Sequence, residues 1–259
     1  MGFTTICATA AEAVAGIPDG ATVMIGGFGP TDAPTVLVEA LAEAGPRNLT
    51  IVCNGPTGTR ETRDSSLLVE NGQVARVICS FPVGPSTSGG PSAFERQFRA
   101  GEVELELVPQ GTLNERIRAG GAGIGAFFTP TGAGTQFADG KEVRTIAGEE
   151  QVLEYALHAD VALVRAHRGD TMGNLVYRLA RRNFNPAMAT AATLTIAEVA
   201  EVVPVGTLDP DAIVTPGIFV DRLVQRQGVG GRPPTRQGVG GRPPTRQGVG
   251  GRPPNRMAG

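Results

Sequence analysis

The N-terminal half of the chain alternates short apolar segments with helical patterns, and this alternation restricts the possible folds more than any other feature. Apolar segments at residues 22–25, 49–52, 74–79 and 103–108 are each followed by a Gly- or Pro-rich loop and a segment of helical periodicity. A helix between successive strands returns the chain across a sheet, so the strands run parallel. The sequence therefore predicts an α/β fold: an open, mostly parallel sheet with helices on both faces.

The second half of the sequence is less regular. It begins with a capping-box pattern at residues 112–115, which predicts the start of a helix, and continues into a Gly-rich stretch at residues 120–135. Phe127 and Phe128 lie in that stretch, and we expect both in the core. Short strands are predicted near residues 143–146, 161–165 and 194–199. This body has room for one α/β domain or two small ones.

The C-terminal segment is a repeat of ten residues. RQGVGGRPPT occupies residues 226–235 and 236–245 and recurs at 246–255 with Asn for the last Thr. A solenoid is excluded because each unit carries a single apolar side chain, a Val, which cannot offset the entropy lost on ordering its Gly and Pro residues. The sequence predicts a folded domain at residues 1–225 and a disordered tail at residues 226–259.

Charge is divided between these two parts. The chain has 23 basic and 25 acidic residues, but seven Arg and no acid lie from Arg226 onward, which leaves 16 basic and 25 acidic residues before it. The net charge of about −9 on residues 1–225 disfavours nucleic acid and anionic membranes as ligands. The tail has a net charge of about +7, which is compatible with two interpretations: a solvated extension, or a segment that binds an acidic partner or nucleic acid.

Several protein classes are disfavoured by what the sequence lacks. It has no apolar run of membrane-spanning length and no signal-peptide pattern at its start. Cys7, Cys53 and Cys79 form no CxxC pair, and His158 and His167 are the two histidines, so we expect no disulfide framework and no metal site. These features favour a cytoplasmic protein.

The predicted strands end in loops that suit ligand binding. Open α/β sheets bind ligands at the carboxyl ends of their strands, and the first strand ends in Gly26-Gly27-Phe28-Gly29. This loop is either a cradle for a phosphate or a tight turn without a ligand. It is no dinucleotide fingerprint, because Asp32 stands where the third Gly would be, and no P-loop, because no GK[ST] follows.

Four separated motifs carry a resemblance to a known family. They are DGATVMIGGF at residues 19–28, VPQGTL at 108–113, RAGGAGIGAFFTPTGAGT at 118–135 and ARRNFNP at 180–186. Together they resemble the first (α) subunit of the 3-oxoacid CoA-transferases. The resemblance implies the open α/β fold, a coenzyme A thioester as substrate without a separate cofactor, and a partner β subunit whose Ser-Glu-Asn-Gly motif supplies the nucleophilic Glu.

The resemblance also implies roles for particular residues. Gln110, expected in the loop after the strand at 103–108, matches the Gln that donates to the oxyanion, and Asn54 matches an Asn near the bound acyl-CoA. A Gln that only closes its own loop and a turn-capping Asn are the structural alternatives. The stretch implied to bind CoA comprises Gly26, Gly27, Phe28, Gly29, Pro30, Thr31 and Asp32. Asp32 replaces a Gly that is usual in the family.

Glu70 resembles a candidate nucleophile, but the sequence around it argues against that role. Val69-Glu70-Asn71-Gly72 differs by one residue from Ser-Glu-Asn-Gly, but Glu70 is better explained as the last turn of an exposed helix with Gly72 beyond its end. The resulting prediction is a subunit that helps move CoA from an acyl-CoA, such as succinyl-CoA, to a 3-oxo acid, with 3-oxoadipate as first choice. The alternatives are an acetoacetate or short-chain fatty acid enzyme, and a non-catalytic ligand-binding protein on the same fold.

Overall fold

The computed structural model describes residues 4–28, 32–58, 63–83 and 90–226. The strands in these ranges are β1 (Thr5–Cys7), β2 (Thr22–Ile25), β3 (Leu49–Val52), β4 (Val74–Cys79), β5 (Glu104–Leu107), β6 (Ala126–Thr129), β7 (Val143–Ile146), β8 (Glu149–Tyr155), β9 (Ala159–Arg165), β10 (Arg168–Asp170), β11 (Leu175–Val176), β12 (Ala192–Val199), β13 (Glu201–Val203) and β14 (Arg222–Gln225). The helices are α1 (Ala10–Val14), α2 (Thr35–Ala44), α3 (Ser66–Glu70), α4 (Ala93–Arg99), α5 (Gln110–Gly121) and α6 (Asn185–Thr190).

The main sheet has eight strands in the order β1-β14-β12-β9-β2-β3-β4-β5, and every neighbouring pair is parallel. The predicted open parallel sheet is therefore confirmed. The strand order reverses between β2 and β9, since β3, β4 and β5 extend from β2 in one direction and β12, β14 and β1 extend from β9 in the other. The carboxyl ends of β2 and β9 thus form the switch point where such sheets bind ligands.

Alternating side chains divide the core into two layers. Val23 and Ile25 on β2 pack with α1, α2, α3 and α4, whereas Met24 between them packs with α5 and α6 on the opposite face. All three side chains are at most 2% exposed. Strands that are buried on both faces need continuous apolar segments, which is why β2, β3 and β4 were predicted from sequence with the bounds observed.

The antiparallel sheet β6-β8-β7 stands apart from these two layers, and we call residues 126–155 the arm. None of the residues from 121 to 151 is buried. The expectation that Phe127 and Phe128 lie in the core is therefore wrong, because both side chains remain partly exposed. The antiparallel pairing of Phe127 with Glu154 and of Phe128 with Leu153 places the two Phe side chains on opposite faces of the arm.

The start of α5 also differs from the prediction. The helix begins at Gln110, with Pro109 as an N-cap that makes no side-chain hydrogen bond, and Thr112 is buried inside its first turn. The predicted capping box at residues 112–115 is therefore wrong, and Gln110 belongs to a helix rather than to a loop. Within the described ranges, no helix combines the length and apolar character needed to cross a membrane.

Candidate functional site

The predicted site residues of β2, β3 and β5 meet at the carboxyl edge of the main sheet. Gly26, Gly27, Cys53, Asn54 and Ser65 are among the residues that line a narrow cleft of about 10 Å³ there. That volume holds about one water molecule. The cleft is therefore too small for an acyl-CoA, and a substrate needs further surface beside it.

Two carboxamide side chains are joined at this edge. Gln110 Nε2 donates a hydrogen bond to Asn54 Oδ1 at 2.5 Å, although the residues are 56 positions apart. Gln110 lies in the first turn of α5. Asn54 lies two residues after the end of β3 and is preceded by Cys53. The contact uses one of the two N–H groups of Gln110, so the other N–H and both N–H groups of the Asn54 amide supply further donors. Uncharged donors of this kind suit an oxygen that becomes anionic only during a reaction.

The loop after β2 is built around Asn185. A Cβ atom on Gly26 would overlap Asn185 Oδ1 and lie 2.8 Å from its Cγ. Asn185 is fully buried, and its Oδ1 accepts from Arg165 N at 3.1 Å while its Nδ2 donates to Arg181 O at 2.8 Å. Gly26 therefore lacks a side chain because the ARRNFNP segment occupies that space. This is a packing reason, and it holds whether or not a ligand binds.

The backbone donors around this loop already have acceptors within the chain. Gly27 N donates to Asn183 Oδ1 at 3.2 Å, and the first-turn amides of α2 at Val36 and Leu37 donate to Glu198 Oε2 at 2.9 and 3.2 Å. A phosphate therefore does not find free donors at these three amides. Gly29, Pro30 and Thr31 lie outside the described residues, and their predicted contact with CoA stays a prediction.

Glu198 connects α2 to the end of the domain. Its carboxylate has no exposed side-chain surface, and its Oε1 lies 3.4 Å from Arg226 Nε and 3.6 Å from Arg165 Nε. Burial raises the pKa of Glu198, and the two guanidinium groups oppose that rise. Arg226 N also donates to Val199 O at 2.9 Å, so the first residue of the decapeptide repeat is held by the folded domain.

Asp32 is paired within the chain. Its Oδ1 lies 3.5 Å from Arg181 Nε, and both residues line a cavity of about 220 Å³ with Arg178. Burial lowers the pKa of nearby His167, and Arg178, Arg181 and Arg168 lower it further. Asp32 therefore lies beside a cluster of positive charge, which reduces its repulsion of an anionic ligand.

The structure separates Glu70 from the carboxamide pair. Glu70 ends α3, and the chain then turns through Gly72, whose φ is +65°, into the start of β4. Gln73 O accepts from Leu49 N at the beginning of β3, which fixes this turn at the amino edge of the sheet. Gln110 lies at the opposite edge, so Glu70 does not reach it.

Sequence reasoning missed two groups that line the cleft. Asp64 is 4% exposed, and burial raises the pKa of its carboxyl group. Cys53 accepts a hydrogen bond from Ser65 Oγ at 3.5 Å, and burial raises the pKa of its thiol well above the ordinary value. A thiol with a raised pKa is a poor nucleophile at neutral pH. Neither residue belongs to a motif, so no sequence signal distinguished them.

An open parallel sheet with paired carboxamides at its carboxyl edge defines a ligand-binding α/β protein. The coenzyme A transferase family model matches residues 7–226, and the chain belongs to this family. It is 52% identical over 218 residues to the first subunit of the 3-oxoadipate CoA-transferase of Pseudomonas putida, covering 84% of this chain and 92% of that protein.

Two further relatives extend the comparison. The alpha subunit of the acetate CoA-transferase of Escherichia coli is 48% identical over 209 residues, covering 81% of this chain and 91% of that protein. Among solved structures, an acyl-CoA transferase from E. coli O157:H7 is 25% identical with a TM-score of 0.72; the match covers 86% of this chain and 47% of that chain. The predicted family and fold are thereby confirmed.

Proposed function

We propose that this chain is the α subunit of a heteromeric CoA-transferase that moves CoA from an acyl-CoA, such as succinyl-CoA, to a 3-oxo acid. Its partner is a β subunit that carries the nucleophilic Glu in a Ser-Glu-Asn-Gly motif. The observation that carries the proposal is the Gln110–Asn54 pair at the carboxyl edge of the main sheet, since it provides donors for an oxyanion. Family membership supports the reaction class.

The lack of a suitable nucleophile among the candidates near the pair supports a partner. Of the residues considered above, Glu70 lies at the other edge of the sheet, and Cys53 is a buried thiol whose raised pKa keeps it protonated. Asp64 is a buried carboxyl group whose Oδ1 already accepts from Ser66 N at 2.9 Å. The P. putida and E. coli relatives are each named as one subunit of an enzyme, which agrees with a second chain. A complete site then forms only when the β subunit places its Glu at the carboxyl edge.

The roles of the carboxamides follow from the reaction. The partner's Glu carboxylate attacks the thioester carbonyl, giving a tetrahedral oxyanion, and CoA leaves as a thiolate with an acyl-glutamyl anhydride remaining. The thiolate then attacks the glutamyl carbonyl, which releases the first acid and forms a glutamyl-CoA thioester. The 3-oxo acid takes CoA by the reverse steps. Each step passes through an oxyanion, where one placed N–H donor is worth about 3 kcal/mol.

We take 3-oxoadipate as the acceptor because the P. putida relative is named for that substrate. The E. coli relative, at 48% identity, is named for acetate, so a short-chain acid is the second candidate. The positive cluster at Arg178 and Arg181 beside Asp32 favours the dicarboxylate, which carries one more negative charge than acetate. We further propose that this enzyme works in the cytoplasm without a separate cofactor and that residues 227–259, beyond the anchored Arg226, form a solvated tail.

The test is co-expression of the full chain with its own β subunit. The purified complex is assayed for CoA transfer from succinyl-CoA to 3-oxoadipate, acetoacetate and acetate, followed by the loss of succinyl-CoA and the mass of the new acyl-CoA. We expect transfer by the complex, with 3-oxoadipate the best acceptor, and no transfer by this chain alone. A Glu70→Ala complex serves as control and should keep a near-normal rate. Transfer by the chain alone, or a thousandfold loss in Glu70→Ala, would contradict the proposal.

A further inference from the structure

A second cavity adjoins the narrow cleft at the carboxyl edge. This cavity of about 220 Å³ is lined by Asp32, Arg178, Leu179, Ala180 and Arg181. Ala33, which directly follows Asp32, lines the cleft together with Asn54. Consecutive Cα atoms are about 3.8 Å apart, so the wall between the two spaces is about one residue thick. A ligand held at the Gln110–Asn54 pair therefore has this cavity as its nearest neighbouring space across Asp32.

The length of an acid decides whether it extends beyond the cleft. The cleft holds about one water molecule, which is about 3 Å across. A chain of six carbons spans about 6 Å between its terminal carbons, at about 1.2 Å per bond. When one end of 3-oxoadipate lies at the Gln110–Asn54 pair, its remote carboxylate therefore lies beyond the cleft. Acetate is too short to extend so far.

The cavity has one positive charge that no described acid offsets. Asp32 Oδ1 lies 3.5 Å from Arg181 Nε, so these two charges oppose each other. Among the described residues, no acid lies within ion-pair distance of Arg178. The lining residues therefore sum to a net charge of +1, which matches a single carboxylate. A guanidinium group also matches the geometry of a carboxylate, because it can donate two parallel hydrogen bonds to it.

The backbone around Arg178 is held in a defined conformation. The preceding residue, Tyr177, is 8% exposed and shares a hydrogen bond of 2.8 Å with Thr215 Oγ1. The following residue, Leu179, has a φ of +57°, which is uncommon for a residue other than Gly, and it is 86% exposed. Burial of the Leu179 side chain does not offset the cost of that conformation, so contacts of its neighbours maintain it. A cation on such a fixed backbone loses less entropy when it binds a ligand.

We propose that Arg178 binds the remote carboxylate of a six-carbon dicarboxylic acceptor and thereby selects it over acids with one carboxylate. The inference rests on the proposed function, because it takes from there that the acid reacts at the Gln110–Asn54 pair. The phosphates of CoA are a second source of negative charge. They lie about 15 Å from the thioester sulfur along an extended pantetheine arm, so a cavity beside the cleft fits the carboxylate better.

The experiment measures ligand binding and CoA transfer by the complex of the full chain with its own β subunit. Arg178→Gln removes the proposed contact. Arg182→Gln is the matched control, because Arg182 is an exposed arginine of the same segment that does not line the cavity. Isothermal titration calorimetry gives dissociation constants for CoA, for hexanoate and for adipate, the six-carbon dicarboxylate without the oxo group. The transfer assay gives kcat/KM for 3-oxoadipate and for acetate with succinyl-CoA as donor, and thermal melting confirms that each variant is folded.

We expect the wild-type complex to bind adipate more tightly than hexanoate. Arg178→Gln should weaken adipate binding about 10- to 100-fold through the loss of charge-assisted hydrogen bonds, and CoA binding should stay unchanged. The ratio of kcat/KM for 3-oxoadipate to that for acetate should fall by a similar factor. Arg182→Gln should keep the wild-type values, since it leaves the cavity intact.

Three results would overturn the inference. They are equal losses in both variants, a wild-type complex without preference for adipate over hexanoate, and an Arg178→Gln complex that binds adipate normally. If that last complex also bound CoA more weakly, Arg178 would be a contact of the CoA phosphates instead. A complex that binds adipate through Arg178 but transfers no CoA would refute the proposed function and leave this carboxylate site standing.

Discussion

Gly26→Ala tests the claim that Asn185 shapes the loop after β2. The added Cβ would overlap Asn185 Oδ1, and Asn185 is fully buried, so the side chain has to leave its position. Its hydrogen bonds with Arg165 N and Arg181 O are then lost. Overpacking costs about 1–3 kcal/mol, and a buried donor left without a partner costs about 1–3 kcal/mol. We expect a loss of about 3 kcal/mol in the free energy of unfolding, in the lower half of the summed range of about 2–6 kcal/mol.

The assay is thermal and urea unfolding of the full chain. At about 2–4 °C per kcal/mol for a domain of this size, the melting temperature should fall by roughly 6–12 °C. Gly125→Ala is the matched control, because a Cβ there meets no atom within 4 Å and the glycine is not in the left-handed region. It should change the free energy of unfolding by at most about 0.5 kcal/mol.

A double-mutant cycle tests the cause. Asn185→Ala alone loses the same hydrogen bonds and should cost about 2–3 kcal/mol. If the two substitutions act through one side chain, Gly26→Ala/Asn185→Ala should cost little more than Asn185→Ala, a coupling of at least about 1.5 kcal/mol. Additive losses would refute the reasoning, since they would mean that the methyl group and Asn185 do not compete for the same space.

Three further predictions concern the site, the end of the domain and acid stability. Gln110→Ala in the complex should lower kcat by roughly 10²–10³ with little change in KM, and Gln110→Glu should be at least as damaging; a rise mainly in KM would make Gln110 a binding contact instead. A chain that ends at Arg226 should melt like the full chain. A chain that ends at Gln225 lacks the contacts of Arg226 with Val199 O and Glu198, so scanning calorimetry should show a loss of about 1–2 kcal/mol in the free energy of unfolding. Equal melting of the two shortened chains would contradict this prediction. Burial would raise the pKa of Glu106, but Arg116 and Arg76, each 2.6 Å away, hold that pKa below its ordinary value of 4.5, so the carboxylate stabilises the fold above pH 4.5 and this stabilisation is lost as the pH falls through the lower folded pKa. The loss of unfolding free energy in Glu106→Gln, measured by urea unfolding with Glu104→Gln as control, should therefore disappear in acid. A loss that is independent of pH would contradict this prediction.

The sequence predicted the main sheet well where strands are buried on both faces. Thr22–Ile25, Leu49–Val52 and Val74–Cys79 appear as short, mostly apolar segments, interrupted by a charge only at Arg76, and burial on both faces leaves little freedom in such segments. The arm was missed as a sheet because its partly exposed strands mix apolar and charged residues. Phe127 and Phe128 were misplaced because adjacent residues of a strand point to opposite faces.

The candidate site was predictable only in part, for a similar physical reason. Parallel strands end at one edge, which is why Asn54 and Gln110, which follow β3 and β5, lie close enough for the hydrogen bond between them. The contacts of Asn183 with Gly27 and of Glu198 with Val36 join residues that are 156 and 162 positions apart. No local pattern records contacts of that range. The capping-box pattern at Thr112 led to a wrong prediction of where α5 begins. The pattern is local, but it lies inside a helix whose N-cap is already Pro109.

The contact of Arg226 with the folded domain does not depend on the number of decapeptide repeats. Each decapeptide begins with Arg, and the first of these arginines pairs with Glu198. Deleting one unit brings Arg236 directly after Gln225, deleting two brings Arg246, and deleting all three brings Arg256. Replication slippage that adds or removes whole units would therefore restore the same residue beside Glu198 each time. The length of the tail is free to vary between strains in steps of ten residues without selection against it at this ion pair.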